Sequence, residues 1–175
     1  MTSGRRLNTT HDTIVYENRP LMDPDIIHTI MGPKDYELDK EVYYYKEKDL
    51  RPELLSLRDK TSDFLKSEGF QHNKDVWYMD LVRYQLNTAV PVDSGLFWHY
   101  ENMNYPDLIT VLCYVRKDET IMNGNLRYKD KDEKNKVITV SSGTTVIMDG
   151  RVFHKPEDPY GYGKRDLVIV SFQIH

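Results

Sequence analysis

The stretch 141–172, SSGTTVIMDGRVFHKPEDPYGYGKRDLVIVSF, decides how the rest of the chain is interpreted. It contains two apolar runs rich in β-branched residues, TTVIMD at 144–149 and DLVIVSF at 166–172, with glycine-containing turns around them. Runs of this length between turn residues are typical of strands in a protein core. The basic side chains between the runs include His154 and Arg165. The stretch therefore predicts two core strands with polar residues placed at their ends.

Similar short runs of β-branched and aromatic residues continue through the second half of the chain. They lie at 76–86, 107–115 and 136–140, and clusters of Gly, Asn and Asp separate them. The segment 129–136, KDKDEKNK, carries mixed charge and predicts an exposed hairpin tip. Many short strands at this spacing indicate a β-sandwich or jelly roll.

The first half of the chain leans helical instead. The clearest helix is predicted over 49–70, where apolar residues such as Leu54, Leu57 and Leu65 recur at helical spacing, Asp49 can cap the start and a glycine ends it. We therefore predict a mostly β fold in which an N-terminal helical layer packs on a jelly roll. A single domain over 1–175 is expected, with 1–75 as a helical support region and 76–175 as the jelly-roll core.

Composition excludes several classes of protein. Charged residues make up 30% of the 175 residues and the net charge is −4, which argues against a nucleic-acid partner. The single cysteine, Cys113, excludes an internal disulfide and a cysteine-based zinc site. The polar start predicts no signal peptide, and no apolar run reaches the roughly 18 residues of a membrane span. An intracellular, cytoplasmic protein without a membrane partner is expected; the oligomeric state is not predicted.

The segment LFWHYENMNY at 96–105 places an imidazole and a carboxylate two residues apart, at His99 and Glu101. If the segment is extended, both side chains project to the same side, because side chains alternate along a strand. Together they are two neighbouring ligands for a divalent metal ion. The aromatic neighbours Phe97 and Trp98 would shelter such a site from water. For the two residues alone, an ordinary hydrogen-bonded pair is the plainer alternative.

His154 is the candidate third ligand, just after the apolar run at 144–149. Two histidines and one carboxylate with open positions form the ligand set of non-haem Fe(II) oxygenases. Arg165 then heads the last apolar strand, where burial would require an anion. A dicarboxylic co-substrate supplies one in bidentate geometry. A rim ion pair with an Asp or Glu is the alternative for Arg165.

In their order along the chain, these motifs resemble the Fe(II)/2-oxoglutarate-dependent oxygenase superfamily, and most nearly its prolyl-4-hydroxylase-like branch. The resemblance covers roughly residues 77–175. It rests on LVRYQLN with Tyr84, on HYE from His99 to Glu101, on the Asn-Gly turn in NGNLRY, and on the stretch 141–172. The double-stranded β-helix form of the jelly roll is the fold that this resemblance implies.

The resemblance also implies cofactors and roles. His99, Glu101 and His154 would bind Fe(II), with 2-oxoglutarate as co-substrate and O2 as oxidant. Arg165 would pair with the distal carboxylate of 2-oxoglutarate. Tyr84 would add a hydrogen bond, and Thr110 is a further candidate because the family's usual serine is absent here.

The activity implied by the resemblance is hydroxylation of a substrate C–H bond, with release of succinate and CO2. A protein prolyl side chain is the first candidate substrate and a small molecule the second. Two other readings stay open at this point. One is a cupin-type metalloenzyme that does not use 2-oxoglutarate, and the other is a catalytically inactive jelly-roll binding module.

Overall fold

The computed structural model describes residues 4–32, 40–46, 51–91, 97–104 and 107–174, with the backbone alone for 40–46. Within these residues the chain is mostly β, with few helices. The two α-helices are α1 (Ile26–Met31) and α2 (Pro52–Ser67). The strands are β1 (Arg5–Arg6), β2 (Thr13–Tyr16), β3 (Lys40–Lys46), β4 (Asn73–Thr88), β5 (Leu108–Lys117), β6 (Ile121–Met122), β7 (Leu126–Lys129), β8 (Asn135–Ile138), β9 (Thr144–Asp149), β10 (His154–Pro156) and β11 (Tyr160–Gln173).

The strands of the described residues form two antiparallel sheets. The large sheet has eight strands in the order β1-β2-β9-β5-β11-β4-β3, and β6 pairs with one end of β11. The small sheet has three strands in the order β10-β7-β8. The long strands β4 and β11 pair along almost their whole length, from Gly161 opposite Thr88 to Phe172 opposite Trp77. This ladder fixes which side chains of the two strands share a face.

One face of the large sheet packs against the helices. Trp77 and Met79 of β4 and Phe172 of β11 lie in one apolar cluster with residues of α1 and α2. In α2, buried residues recur three and four positions apart, at Leu54, Leu57, Thr61 and Leu65, so that one stripe of the helix faces the sheet. Arg51 precedes this helix, and Asp49, the predicted cap, lies outside the described residues.

The other face of the large sheet packs against the small sheet. A second apolar cluster contains Val82 and Leu167 of the large sheet together with Leu126 and Tyr128 of the small sheet. Because side chains alternate along a strand, the even-numbered residues of β4 point into this layer and the odd-numbered ones towards the helices. The candidate site lies between the two sheets.

Most of the predicted strands and the long helix are present. The charged segment after β7 is the turn of a hairpin with β8, as predicted. The region 1–75 is less helical than expected, because it also contributes β1, β2 and β3 to the large sheet. No helix of the described ranges is long and apolar enough to cross a bilayer.

Leu65→Ala is expected to lower the free energy of unfolding by about 2–5 kcal/mol, because it opens a cavity between α2 and the sheet. Leu65 is 0% exposed and belongs to the cluster under the helix. Lys66→Ala, one residue further on an exposed part of the same helix, is the control and should change stability by less than about 0.5 kcal/mol. Urea denaturation of both variants measures the difference; equal stabilities would contradict the packing described here.

Candidate active site

A short β-bridge brings two distant segments of the chain together. The amide N–H of His99 donates to the carbonyl oxygen of His154 at 2.9 Å, and the amide of His154 donates back to the carbonyl of His99 at 3.1 Å. Glu101 then opens a 3₁₀ turn, Glu101–Asn104. The segment is therefore not extended through both residues, and the condition under which alternation would align His99 and Glu101 is not met. The turn still carries the carboxylate back towards both imidazoles.

The three predicted metal ligands converge on one point. Oε1 of Glu101 lies 3.2 Å from Nε2 of His99 and 2.9 Å from Nε2 of His154. The ligand atoms of the three residues all lie within 4.8 Å of one another, the only such group of His, Cys, Asp and Glu side chains within the part of the chain that the structure describes. Two histidines and one carboxylate on one side leave the opposite positions of an octahedral ion open.

The remaining ring nitrogens hold both imidazoles in the orientation that a metal requires. Nδ1 of His99 lies 2.7 Å from the carbonyl oxygen of Phe97, and Nδ1 of His154 lies 2.8 Å from that of Val152. Each ring therefore faces an acceptor at both nitrogens, whereas a neutral imidazole has only one N–H. Either a second proton or a metal ion on Nε2 satisfies this pattern, and a backbone carbonyl at Nδ1 is the usual partner of a metal-bound histidine.

The electrostatics of the three residues point the same way. Burial by itself would raise the pKa of Glu101, but hydrogen bonds with His154 and His99 outweigh burial and hold that pKa well below its usual range. The hydrogen bond with Glu101 in turn raises the pKa of His99. Positive charge at this site therefore stabilises the carboxylate anion of Glu101. Protons on the imidazoles or a metal ion can supply that charge.

A cavity of about 130 Å³ begins at these three residues and runs between the sheets. A void of this size takes a small organic molecule. Its walls come from β4, β5 and β11 on one side and from β7 and β10 on the other. The lining residues are Asp80, Val82, Tyr84, His99, Glu101, Leu112, Tyr114, Leu126, His154, Pro156, Arg165, Leu167 and Ile169.

Arg165 lies in this cavity, and it is 2% exposed. Its Nε and Nη2 atoms are buried and have no hydrogen-bond partner in the described part of the chain. Its guanidinium carbon lies 5.3 Å from the ring centre of Tyr84 and 5.2 Å from that of Tyr114. Burial of a guanidinium with two donors that lack a hydrogen-bond partner costs free energy unless an anion accepts those hydrogen bonds. The rim ion pair considered as the alternative is not what the structure has.

The residues around Arg165 agree only in part with the predicted set. Tyr84 lies beside Arg165 in the cavity wall. Thr110 is buried, and its hydroxyl is hydrogen-bonded to that of Ser171 at 2.8 Å; it is not among the cavity-lining residues. Tyr114 stands there instead, four residues further along the same face of β5. Thr110, Leu112 and Tyr114 share one face of β5 because side chains alternate along a strand, and this spacing could have indicated Tyr114 from the sequence. A role for Thr110 in binding the co-substrate stays a prediction.

The turn before β7 holds Arg165 in place. Asn123 and Gly124 both have positive φ, at 56° and 70°, a backbone conformation that favours Asn and Gly. A Cβ atom at Gly124 would approach Cδ of Arg165 to 3.2 Å, closer than ordinary packing allows. The absence of a side chain at this position lets the loop close over the arginine.

The aromatic residues beside the site do not line the cavity. Phe97 is 79% exposed. Trp98 and Phe153 pack on each other, with ring centres 5.4 Å apart, and Tyr100 stacks on Phe153. Shelter of the metal by Phe97 and Trp98, as predicted, is therefore wrong. The aliphatic residues of the strands, such as Leu126, form the apolar walls instead.

Asp80 is a cavity residue that is not among the predicted site residues. It lies on the same face of β4 as Val82 and Tyr84 and lines the cavity together with the three candidate metal ligands. Burial, with a smaller contribution from the negative charge of Glu101, raises the pKa of Asp80 to about 7. The signal in the sequence was an aspartate in the middle of the apolar run WYMDLVRY.

Asp80→Asn is expected to stabilise the metal-free protein at pH 8. The folded protein keeps a proton on Asp80 up to a pH of about 7, whereas the unfolded chain loses it near 4, so that wild-type stability falls as the pH rises between these values. Asparagine removes that loss, and the variant should gain on the order of 2–4 kcal/mol at pH 8 and little at pH 4. Denaturation in the presence of EDTA at both pH values measures the gain.

The control for this experiment is Asp75→Asn, at an exposed position of the same strand. A gain that is equal at the two pH values, or is shared by the control, would show that ionisation of Asp80 is not its cause.

Comparisons with solved structures agree with this geometry. The chain is similar to an oxidoreductase of the 2OG-Fe(II) oxygenase family from Burkholderia pseudomallei, with TM-score 0.64 and 12% identity over 93% of this chain and 84% of that one. It is similar to a prolyl-4-hydroxylase from Pseudomonas putida, with TM-score 0.59 and 11% identity over 95% and 94%. It is also similar to HygX from Streptomyces hygroscopicus, solved with nickel and 2-oxoglutarate bound, with TM-score 0.56 and 11% identity over 92% and 82%.

No protein-family model and no curated protein matches the sequence. At these identities the structural similarity defines the fold, which is that of the 2OG-Fe(II) oxygenases. Prolyl-4-hydroxylases are among the structures that share it. The resemblance seen in the sequence is thereby confirmed at the level of the fold.

Proposed function

We propose that the protein is an Fe(II)- and 2-oxoglutarate-dependent dioxygenase that hydroxylates a C–H bond of its substrate. One oxygen atom of O2 would enter the new hydroxyl group and the other the succinate formed from 2-oxoglutarate, with release of CO2. The observation that supports this most is that the His99, Glu101, His154 group and the guanidinium of Arg165, with two donor atoms that lack a partner, share one cavity.

The residues of the metal site fit a ferrous ion. Imidazole and carboxylate ligands suit Fe(II), and the backbone carbonyls at Nδ1 leave Nε2 of His99 and His154 directed at the site. Fe(II), when bound, would supply the coordination positions and the redox chemistry that couple oxygen activation to decarboxylation of 2-oxoglutarate. The protein itself contributes position, charge and a cavity that excludes water.

Arg165 would bind the distal carboxylate of 2-oxoglutarate through its two idle donors, which suit a planar carboxylate. The hydroxyl groups of Tyr84 and Tyr114 lie on the two strands that flank Arg165 and are candidates for a further hydrogen bond. Aliphatic side chains such as Leu167 and Ile169 line the cavity between Arg165 and the metal ligands. They keep water from the co-substrate and strengthen its pairing with the arginine.

The finer features of the fold and setting belong to the same proposal. The two facing sheets would be the two halves of a double-stranded β-helix, within a single domain over 1–175. The substrate would be a prolyl side chain of a protein or a small molecule, and the charge balance argues against nucleic acid and against a membrane partner. An intracellular location stays a prediction from the sequence.

The proposal is tested by loading the protein anaerobically with Fe(II) and 2-oxoglutarate and then admitting O2. Succinate should form at a rate that depends on both Fe(II) and 2-oxoglutarate. A screen of peptides, free amino acids and other small molecules, followed by mass spectrometry, should find a product that gains one oxygen atom. Product formation without 2-oxoglutarate would favour the cupin-type metalloenzyme. A protein that binds no metal would be the inactive binding module.

A further inference from the structure

Asp80 lies at the metal end of the cavity and has no partner there. Its strand neighbours are Ile169 on β11 and Tyr44 on β3, so that it stands inside the large sheet rather than at an edge. In the described residues no hydrogen bond or ion pair reaches its carboxylate. A partly buried carboxylate without a hydrogen-bond partner is costly to maintain, and in a cavity beside proposed metal ligands it is a candidate functional residue.

Asp80 is not placed to serve the metal or the co-substrate. The group whose ligand atoms lie within 4.8 Å of one another contains His99, Glu101 and His154 but not Asp80. Arg165 lies opposite Tyr84 in the ladder between β11 and β4. Tyr84 is four residues from Asp80 along β4, a distance of about 13 Å at the usual rise of a strand. The carboxylate is thus separated from both anchors of the proposed co-substrate.

When Fe(II) and 2-oxoglutarate are bound, the charges in the cavity would balance one another except for the charge of Asp80. The two charges of Fe(II) would be balanced by Glu101 and by the carboxylate of 2-oxoglutarate next to its keto group. The distal carboxylate would be balanced by Arg165. Among the charged side chains that line the cavity, Asp80 alone then lacks a counter-charge. The substrate is the one component of the reaction that these pairings do not include, and it is therefore the candidate for the counter-charge of Asp80.

We propose, on the basis of the function proposed above, that Asp80 binds a protonated amine of the substrate and that the natural substrate is an organic cation. The ammonium group pairs with Asp80, and a C–H bond next to it is held towards the metal end of the cavity. A free amino acid, an amine or an amino-terminal prolyl residue carries such a group. A prolyl residue inside a peptide does not, because its nitrogen is an uncharged tertiary amide.

The experiment uses the full chain loaded with Mn(II) and 2-oxoglutarate, so that binding is measured in the absence of turnover. L-prolinamide, which is a cation, and N-acetyl-L-prolinamide, its neutral counterpart, are titrated by calorimetry or ligand-detected NMR. Piperidine and tetrahydropyran form a second matched pair. Each amine should bind roughly tenfold or more tightly than its neutral partner. Asp80→Asn should reduce this preference to near one, whereas Asp75→Asn, outside the cavity, should retain it.

The outcomes separate this inference from the function on which it rests. Wild-type protein that binds neither Mn(II) nor 2-oxoglutarate contradicts the proposed function. Wild-type protein that binds both but takes the charged and neutral probes equally well overturns the inference alone. A preference for amines that survives in Asp80→Asn also overturns it. Loss of Mn(II) from Asp80→Asn would assign the carboxylate to the metal and overturn it as well.

Discussion

His154→Ala is expected to abolish metal binding and 2-oxoglutarate turnover together while the protein stays folded. His154 is 2% exposed, and its Nε2 lies 2.9 Å from Oε1 of Glu101, at the centre of the proposed metal site. Loss of groups that only support a metal ligand already costs about 10–100-fold in metal affinity or activity, so that loss of the ligand itself should exceed about 100-fold. Metal content after anaerobic reconstitution and succinate formation are the measurements.

The matched control is His28→Ala, which removes an exposed histidine of α1 and should leave both measurements unchanged. Circular dichroism checks that each variant is folded. If the buried position does not tolerate alanine, His99→Ala tests the same site at a more accessible residue. Turnover that survives the loss of either histidine would show that this group does not hold the catalytic metal.

Arg165→Met is expected to raise the 2-oxoglutarate concentration required for half-maximal turnover by about 100-fold or more, with metal content unchanged. Methionine keeps an apolar stem but removes the charge and both idle donors. Loss of one partner from a buried, hydrogen-bonded charge pair costs about 2–5 kcal/mol, and each 1.4 kcal/mol is a factor of about ten. Because Nε and Nη2 have no partner without an anion, the same variant should not destabilise the metal-free protein.

Arg165→Lys distinguishes charge from geometry at this position. Lysine keeps the positive charge but not the planar fork, so that it should recover part of the affinity for 2-oxoglutarate. Arg127→Met is the control, since Arg127 is an exposed arginine that pairs with Glu157 outside the cavity lining. An unchanged 2-oxoglutarate requirement in Arg165→Met would remove the co-substrate from the proposal, and loss of metal would show that the arginine supports the metal site instead.

The two strands in 141–172 were predictable because their side chains alternate or are continuously apolar, and both signals are local. The same holds for α2, where Leu57 and Leu65 recur at helical spacing. The segment at His99 and Glu101 is the counterexample. Its aromatic residues favour a strand, yet the hydrogen bonds with His154 on β10 and the 3₁₀ turn that follows define its actual path.

The site was predictable where residue chemistry alone is distinctive. A His-x-Glu, a distant histidine and an arginine before an apolar strand occur in an order that indicates metal and anion binding. No comparable motif in the sequence identifies Tyr114 or Asp80 as a site residue. Their roles follow from which face of β4 and β5 turns towards the small sheet, and that depends on contacts with strands far away in the chain.

The sequence by itself determined the mostly β class of this protein, its long helix and the identity of its candidate metal ligands, because propensity and alternation act between near neighbours. Only the tertiary structure decided that Glu101 meets an imidazole 53 residues away, that Arg165 is buried with two donor atoms lacking a hydrogen-bond partner, and that Asp80 shares their cavity. The register of β4, β5 and β11 and the packing of the second sheet bring these residues together, and both arise from contacts between residues far apart in the chain.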